Sequence, residues 1–308
     1  MLCVLRETAP SLATGFLLSF RAMNSPNPWR ALFVLGRVSN LPTVWSNCLA
    51  AWLLGGGGAD WTRFGLLCAG ATLLYIGGMY LNDAFDADFD AQHRRERPIP
   101  SGYVSLRTVW QLGCGMLVLG LVMIAPLGPT PFLNAVVLAL CILLYDAVHK
   151  LVTFSPVLMA MCRFFLYVTA SSAPTGAATG AAVWAGVAMA AYITGLSFIA
   201  RKESTGIRVQ FWPLSFLIAP ILLAWMVNEG SHLRDVAVVG IILLLWSARS
   251  LRSAFDAQRN IGRAVSGLLA GIVWVDWLAV ADHSKERGAA FIALFLLALL
   301  FQRFVPAT

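Results

Sequence analysis

Within residues 82–90 the chain carries Asn82, Asp83, Asp86, Asp88 and Asp90. Asp83, Asp86 and Asp90 are spaced i, i+3, i+7, and Asn82, Asp86 and Asp90 are spaced i, i+4, i+8. On a helix both sets share one face, and Asp88 falls off it. No glycine or proline interrupts the sequence from the preceding apolar stretch to Pro98, so one helix should continue through these acids. Carboxylates on one face repel each other, and a helix C-terminus disfavours anions. Something positive must compensate. Arg94, four residues after Asp90, and Arg97, seven after it, are one source. A divalent cation is the other: Mg2+ takes oxygen ligands from one or two carboxylates and completes its shell with water and phosphate oxygens. Acids that share a phase and end an apolar segment favour the cation.

Other polar residues interrupt apolar sequence. Arg163 lies mid-segment, where a charge costs roughly 2.5–3.5 kcal/mol on the lenient insertion scale, so it should face the bundle interior and meet an anion. That anion is either a phosphate or an aspartate. Asp276 sits inside the run from Leu268 to Val280 and either pairs with an arginine or marks a pocket. Arg37, Asn40 and Asn47 share a helix face. Asn47 either lines a site or joins neighbouring helices. Tyr145 and Lys150 end a further apolar segment, where a lysine also serves as a snorkelling anchor.

These residues need a scaffold, and the composition names it. Of 308 residues, 59% are hydrophobic and 12% charged, against about a quarter charged in soluble chains. Mean hydropathy is +0.75. A soluble enzyme, a disordered chain and a coiled coil are excluded. Long apolar runs such as 291–301 lack the alternation of a membrane β-barrel. The expectation is an all-α polytopic membrane bundle. Ten apolar segments, near 32–56, 63–82, 106–126, 131–148, 155–175, 180–200, 210–228, 234–250, 264–281 and 288–303, predict nine or ten transmembrane helices. Residues 1–30 form an expected loosely attached N-terminal extension, and 31–308 a single membrane domain.

With the N-terminus on side one, 17 of the 22 Lys and Arg residues fall on that side. Only Arg63, Arg234, Lys285 and Arg287 fall on the other, and Arg163 is buried. By the positive-inside rule side one is the cytoplasm, which suits a bacterial inner membrane. The net charge of +7 therefore reports topology, and no nucleic-acid partner is expected. The six cysteines form no CxxC pair and read as buried apolar residues.

The run N-D-x-x-D-x-x-x-D followed by R-P, carried by Asn82, Asp83, Asp86, Asp90, Arg97 and Pro98, resembles the first aspartate-rich motif of the UbiA superfamily of intramembrane prenyltransferases. The resemblance implies a prenyl group passing from a prenyl diphosphate to a lipophilic or aromatic acceptor, with membrane lipid around the bundle. It implies Mg2+ on Asp83, Asp86 and Asp90 with Asn82 assisting, and diphosphate gripped by Arg94, Arg97, Lys150, Arg163, Arg201 and Lys202. Tyr145–Lys150 is similar to the family's Y-S-x-x-K-R, with Asp146 in place of the serine. The family's second acidic motif is reduced here to Ala200-Arg201-Lys202-Glu203, so Glu203 is the one acid left there to reach a metal, or Arg201 and Lys202 replace a second metal. Arg37, Asn47 and Asp276 complete the expected substrate-binding set, and Phe164, Phe165 and Tyr167 could shelter an allylic cation. Rival readings with the same motif are a terpene cyclase, a phosphoribosyl transferase to a lipid phosphate, and a non-catalytic prenyl-lipid binding or transport component.

Overall fold

A computed structural model describes residues 28–205, 211–229, 232–255, 260–280 and 284–307. The expected N-terminal extension falls almost wholly outside them. The described residues form helices and connecting turns. In chain order the helices are α1 (Pro28–Leu35), α2 (Leu41–Leu54), α3 (Trp61–Phe85), α4 (Ala87–His93), α5 (Leu106–Ile124), α6 (Pro129–Val148), α7 (Ser155–Ser172), α8 (Gly180–Thr205), α9 (Pro213–Val227), α10 (His232–Phe255), α11 (Ile261–Val280) and α12 (Lys285–Gln302).

Their starts follow from local chemistry. The Asp60 side chain accepts from the Arg63 amide at 3.0 Å to open α3, and Ser105 accepts from the Thr108 amide at 3.1 Å to open α5. Prolines stand in the first turn of α6, α7 and α9, where their missing N–H costs nothing.

Among the described residues six helices are long and apolar enough to cross a membrane: α3, α5 (with its short 3-10 extension to Leu127), α6, α8 up to Arg201, α10 and α11. The protein is thus an integral membrane protein by composition and fold. The expected nine or ten spans are not all met on length and apolarity, six helices qualifying among the described residues. The physical reason is visible in α2 and α9, with 14 and 15 residues. At about 1.5 Å per residue they reach little more than ~20 Å, short of the ~30 Å apolar layer.

Helix α2 packs against α3, α7, α11 and α12, and α11 also touches α8, α9 and α10, so these two helices hold the centre. Helices α3 and α5 approach each other closely. A Cβ on Gly77 would lie 2.9 Å from the Gly113 carbonyl oxygen, and one on Gly120 3.0 Å from that of Gly70. Small residues let helix backbones meet where apolar surface alone gives no driving force in lipid. At one end of the bundle Arg63 donates to the carbonyls of Leu127 and Ala173, each at 2.7 Å. The opposite end gathers the polar residues described next.

Candidate active site

A cavity of about 740 Å3 opens among the helices. Its inner wall is apolar, with Leu74, Leu138, Ile142, Leu166, Ile193 and Leu196, and its polar lining includes Arg37, Asp83, Arg94, Arg97, Asp146 and Arg201. The site is therefore amphipathic.

The last turn of α3 brings Asn82 and Asp83 to this end. Asp83 Oδ1 accepts from Arg37 at 3.4 Å and from Arg97 at 3.1 Å. Arg97 also donates to Asp90 Oδ2 at 3.0 Å. Asn82 Oδ1 accepts from Arg37 at 3.4 Å, and its Nδ2 donates to Asp146 Oδ1 at 3.1 Å. Arg37 holds φ 41° and ψ 47°, the left-handed region that side chains other than glycine rarely adopt. Its two side-chain bonds and the Tyr75 hydroxyl, which donates to the Arg37 carbonyl at 3.4 Å, fix that conformation.

The expected unbroken helix is interrupted at Asp86, which caps α3 and opens α4. The ladder continues across the break, since the Asp90 amide donates to the Asp86 carbonyl at 2.9 Å. The carboxylates nonetheless part company. Asp83 and Asp90 share Arg97, whereas Asp86 meets Lys150 Nζ at 2.6 Å and His149 Nε2 at 3.5 Å, both beyond the end of α6. Burial opposes ionisation of Asp86, but the His149 and Lys150 contacts outweigh it and hold its carboxyl below the usual carboxylate range. Lys150 also sits over the Phe89 ring at 3.9 Å.

Among the described residues, no three His, Cys, Asp or Glu side chains converge as a preformed metal centre. The donor chemistry fits a hard cation all the same. Asp83, Asp86, Asp90 and Asn82 offer oxygens at one helix end, and Asp90 Oδ1, on a side chain 2% exposed, has no hydrogen-bond partner. The arrangement of separate ion pairs has a simple cause: each carboxylate is neutralised by the cationic side chain nearest to it.

The other expected residues divide into three groups. Arg94, Tyr145, Arg163 and Arg201 line the cavity. Arg201 donates to the Thr153 carbonyl and lies 3.4 Å from Ser155 Oγ. Lys202 and Glu203 lie in the last turn of α8, and their side chains are outside the described residues. Asn47 and Asp276 are away from the cavity, in a buried network. Asp276, 0% exposed, accepts from Asn47 Nδ2 at 2.8 and 2.9 Å, and from Ser46 and Tyr167. Asn47 Oδ1 in turn accepts from Arg163, which also donates to Thr43 Oγ1 at 3.1 Å. The anion expected beside Arg163 is thus Asp276 at one remove, through Asn47. Tyr167 belongs to this network, and Phe164 and Phe165 pack edge to face, so none of these three rings lines the cavity.

Two features escaped the sequence. Asp146, 3% exposed, lines the cavity, although the motif pattern had marked it as a departure. Pro306 and Ala307 also line it, held by Ser39 and Asn40, whose Nδ2 donates to the Ala307 carbonyl at 3.0 Å. No periodicity signals such a tail contact.

A helical membrane bundle with an apolar cavity and a mouth of paired acids and guanidiniums defines the class. The UbiA prenyltransferase family matches residues 40–300, and the chain belongs to that family. It is 30% identical over 135 residues to a 4-hydroxybenzoate octaprenyltransferase of Cupriavidus metallidurans, a match covering 43% of this chain and 43% of that protein. The chain thus spans less than half the length of that curated relative. In fold it is similar to a UbiA homolog from Aeropyrum pernix, with TM-score 0.62 and 17% identity over 84% of this chain and 98% of the other. It is also similar to a UbiA homolog from Archaeoglobus fulgidus bound to DMAPP and Mg2+, with TM-score 0.51 and 14% identity over 89% and 97%.

Proposed function

We propose that the protein transfers a prenyl group from a prenyl diphosphate to a lipophilic or aromatic acceptor. The observation that carries this reading is the amphipathic cavity. Its apolar wall of Leu138, Ile142, Leu166 and Leu196 suits a prenyl chain, and its mouth of Arg37, Arg94, Arg97 and Arg201 suits a diphosphate. Arg94 carries no side-chain hydrogen bond or ion pair among the described residues, so its guanidinium is available without breaking a contact. The 4-hydroxybenzoate relative and the DMAPP-bound homolog support the same substrate classes.

In the reaction the bond from the allylic carbon to the diphosphate oxygen breaks, and its electron pair leaves with diphosphate. The acceptor's nucleophile bonds to the carbon and a proton is lost. Arginines at the mouth meet the charge that grows on the leaving group, which is where fixed cations lower a barrier most. Asp83, Asp86 and Asp90, with Asn82, would hold Mg2+, which supplies further neutralisation of that charge. Lys150 and Arg97, freed from the aspartates, would turn to the diphosphate. The apolar wall keeps water from the reacting carbon. With the 17 to 4 division of basic residues, the mouth faces the cytoplasm of a bacterial inner membrane.

The test is incubation of purified protein with labelled prenyl diphosphates of graded length, Mg2+ and a membrane lipid extract, followed by mass spectrometry. A prenylated product with release of diphosphate is expected. Tight binding of the diphosphate with no product would instead mark a non-catalytic lipid-binding component.

A further inference from the structure

Asp146 has no role in the reading above, yet it is the acid most deeply set in the cavity wall. Its side chain is 3% exposed and lines the cavity. Oδ1 accepts from Asn82 Nδ2 at 3.1 Å, and Oδ2 is buried with no hydrogen-bond partner. A buried carboxyl with one oxygen unpaired is costly, and such a group points to a bound ion, a water or a catalytic role. The contact with Asn82 ties α6 to the start of the N-D-x-x-D run, and Asn82 itself is fixed on its other side by Arg37. A partner for Oδ2 that reaches it from the cavity is a water, a cation, or a ligand N–H or O–H.

Charge decides between them. The cavity lining holds Arg37, Arg94, Arg97, Arg163 and Arg201, so an anionic ligand is already well supplied with hydrogen-bond donors. What that cluster lacks is an oxygen donor for a cation on the α6 side. On α8, opposite, Arg201 stands in the cavity wall where a second acidic motif would be expected.

We propose that Asp146 is a further ligand of the divalent cation that accompanies the prenyl diphosphate, so that the cation is held between α3 and α6 while α8 contributes the Arg201 guanidinium. The proposal rests on the prenyl diphosphate reading. It makes the protein a single-cation enzyme, with Arg201 in place of a second ion.

The experiment uses Mn2+ as the probe, followed by electron paramagnetic resonance on full-length protein in detergent, with and without geranyl S-thiolodiphosphate. The wild type should bind one Mn2+, more tightly with the analogue. Asp146→Asn and Asp146→Ser should weaken Mn2+ binding by more than about tenfold, at least as much as loss of a residue that only orients a metal ligand. Asp146→Asn keeps an acceptor for Asn82 and should melt near the wild-type temperature in cation-free buffer, so that lost Mn2+ affinity is not lost folding. Glu96 also lines the cavity but is exposed, so Glu96→Gln should change Mn2+ affinity by no more than about twofold. Wild-type Mn2+ affinity in Asp146→Asn, with loss in Asp86→Asn, would overturn this proposal and leave the prenyl diphosphate reading intact. An equal loss in Glu96→Gln would reduce Asp146 to a contributor to the general field and also overturn it. No Mn2+ binding in the wild type would sink both.

Discussion

Arg163 and Asp276 show how one amide can settle the roles of two charges. Asn47 gives its Nδ2 hydrogens to Asp276, so its oxygen is left facing Arg163. An amide cannot serve the two in the reverse order without setting an oxygen against a carboxylate and an N–H against a guanidinium. Arg163 is therefore held by the bundle even though it lines the cavity. Asn47→Leu should remove two donors from Asp276 and the acceptor from Arg163, leaving both buried. A loss of about 2–4 kcal/mol is expected, read as a lower unfolding midpoint in detergent. Wild-type stability in Asn47→Leu would show that the network does not hold α2, α7 and α11 together. Arg163→Leu should likewise destabilise, by about 1–3 kcal/mol, since Asn47 Oδ1 and Thr43 lose their donor. If Arg163→Leu instead keeps full stability and loses only diphosphate affinity, its role is in substrate binding.

At the scale of elements, α3 both packs closely against α5 and carries the acids. Gly77 faces the Gly113 backbone, whereas Gly65, one turn into the same helix, has nothing within 4 Å of its would-be Cβ. Gly77→Ala should push α5 away and cost about 1–3 kcal/mol, while Gly65→Ala should be neutral or stabilising by up to about 1 kcal/mol. Equal effects at the two positions would contradict the close α3–α5 contact. The acids on this helix were legible because helical spacing and an apolar flank mark them in one dimension. The break at Asp86 was not legible. The partners of Asp86, His149 and Lys150, come from beyond α6, 63 and 64 residues on, and no local signal marks their arrival. Asp276 reads as a buried ionisable residue in the sequence, but its partners come from α2 and α7, so spacing could not tell a structural pair from a pocket. Asp146 was visible only as a mismatch with a motif, and its unpaired oxygen is a property of packing.

The bundle as a whole separates two chemistries along its axis. Asp83, Asp86, Asp90, Lys150, Arg201 and the 306–307 tail gather at one end, while Arg63 ties the turns near Leu127 and Ala173 at the other. If the basic bias sets orientation, Gly58→Cys in a cysteine-free background should react with an impermeant maleimide from outside intact cells, and Ser101→Cys only after permeabilisation. Gly58 is suitable because a Cβ there meets nothing within 4 Å. Reaction of Ser101→Cys in intact cells would reverse the orientation.

The most direct test of the account is thermodynamic linkage between cation and diphosphate in that polar end. Asp83, Asp86 and Asp90 should bind Mg2+ weakly alone and more tightly with diphosphate present. Calorimetric titration of the wild type with Mg2+ and with geranyl S-thiolodiphosphate, each with and without the other, should give enhancement by one common factor in both directions. Asp86→Asn should lower that coupling by about tenfold or more. Diphosphate binding that ignores Mg2+ in the wild type, or Mg2+-dependent binding unchanged in Asp86→Asn, would show that the aspartates serve only their arginine and lysine partners and would contradict the account.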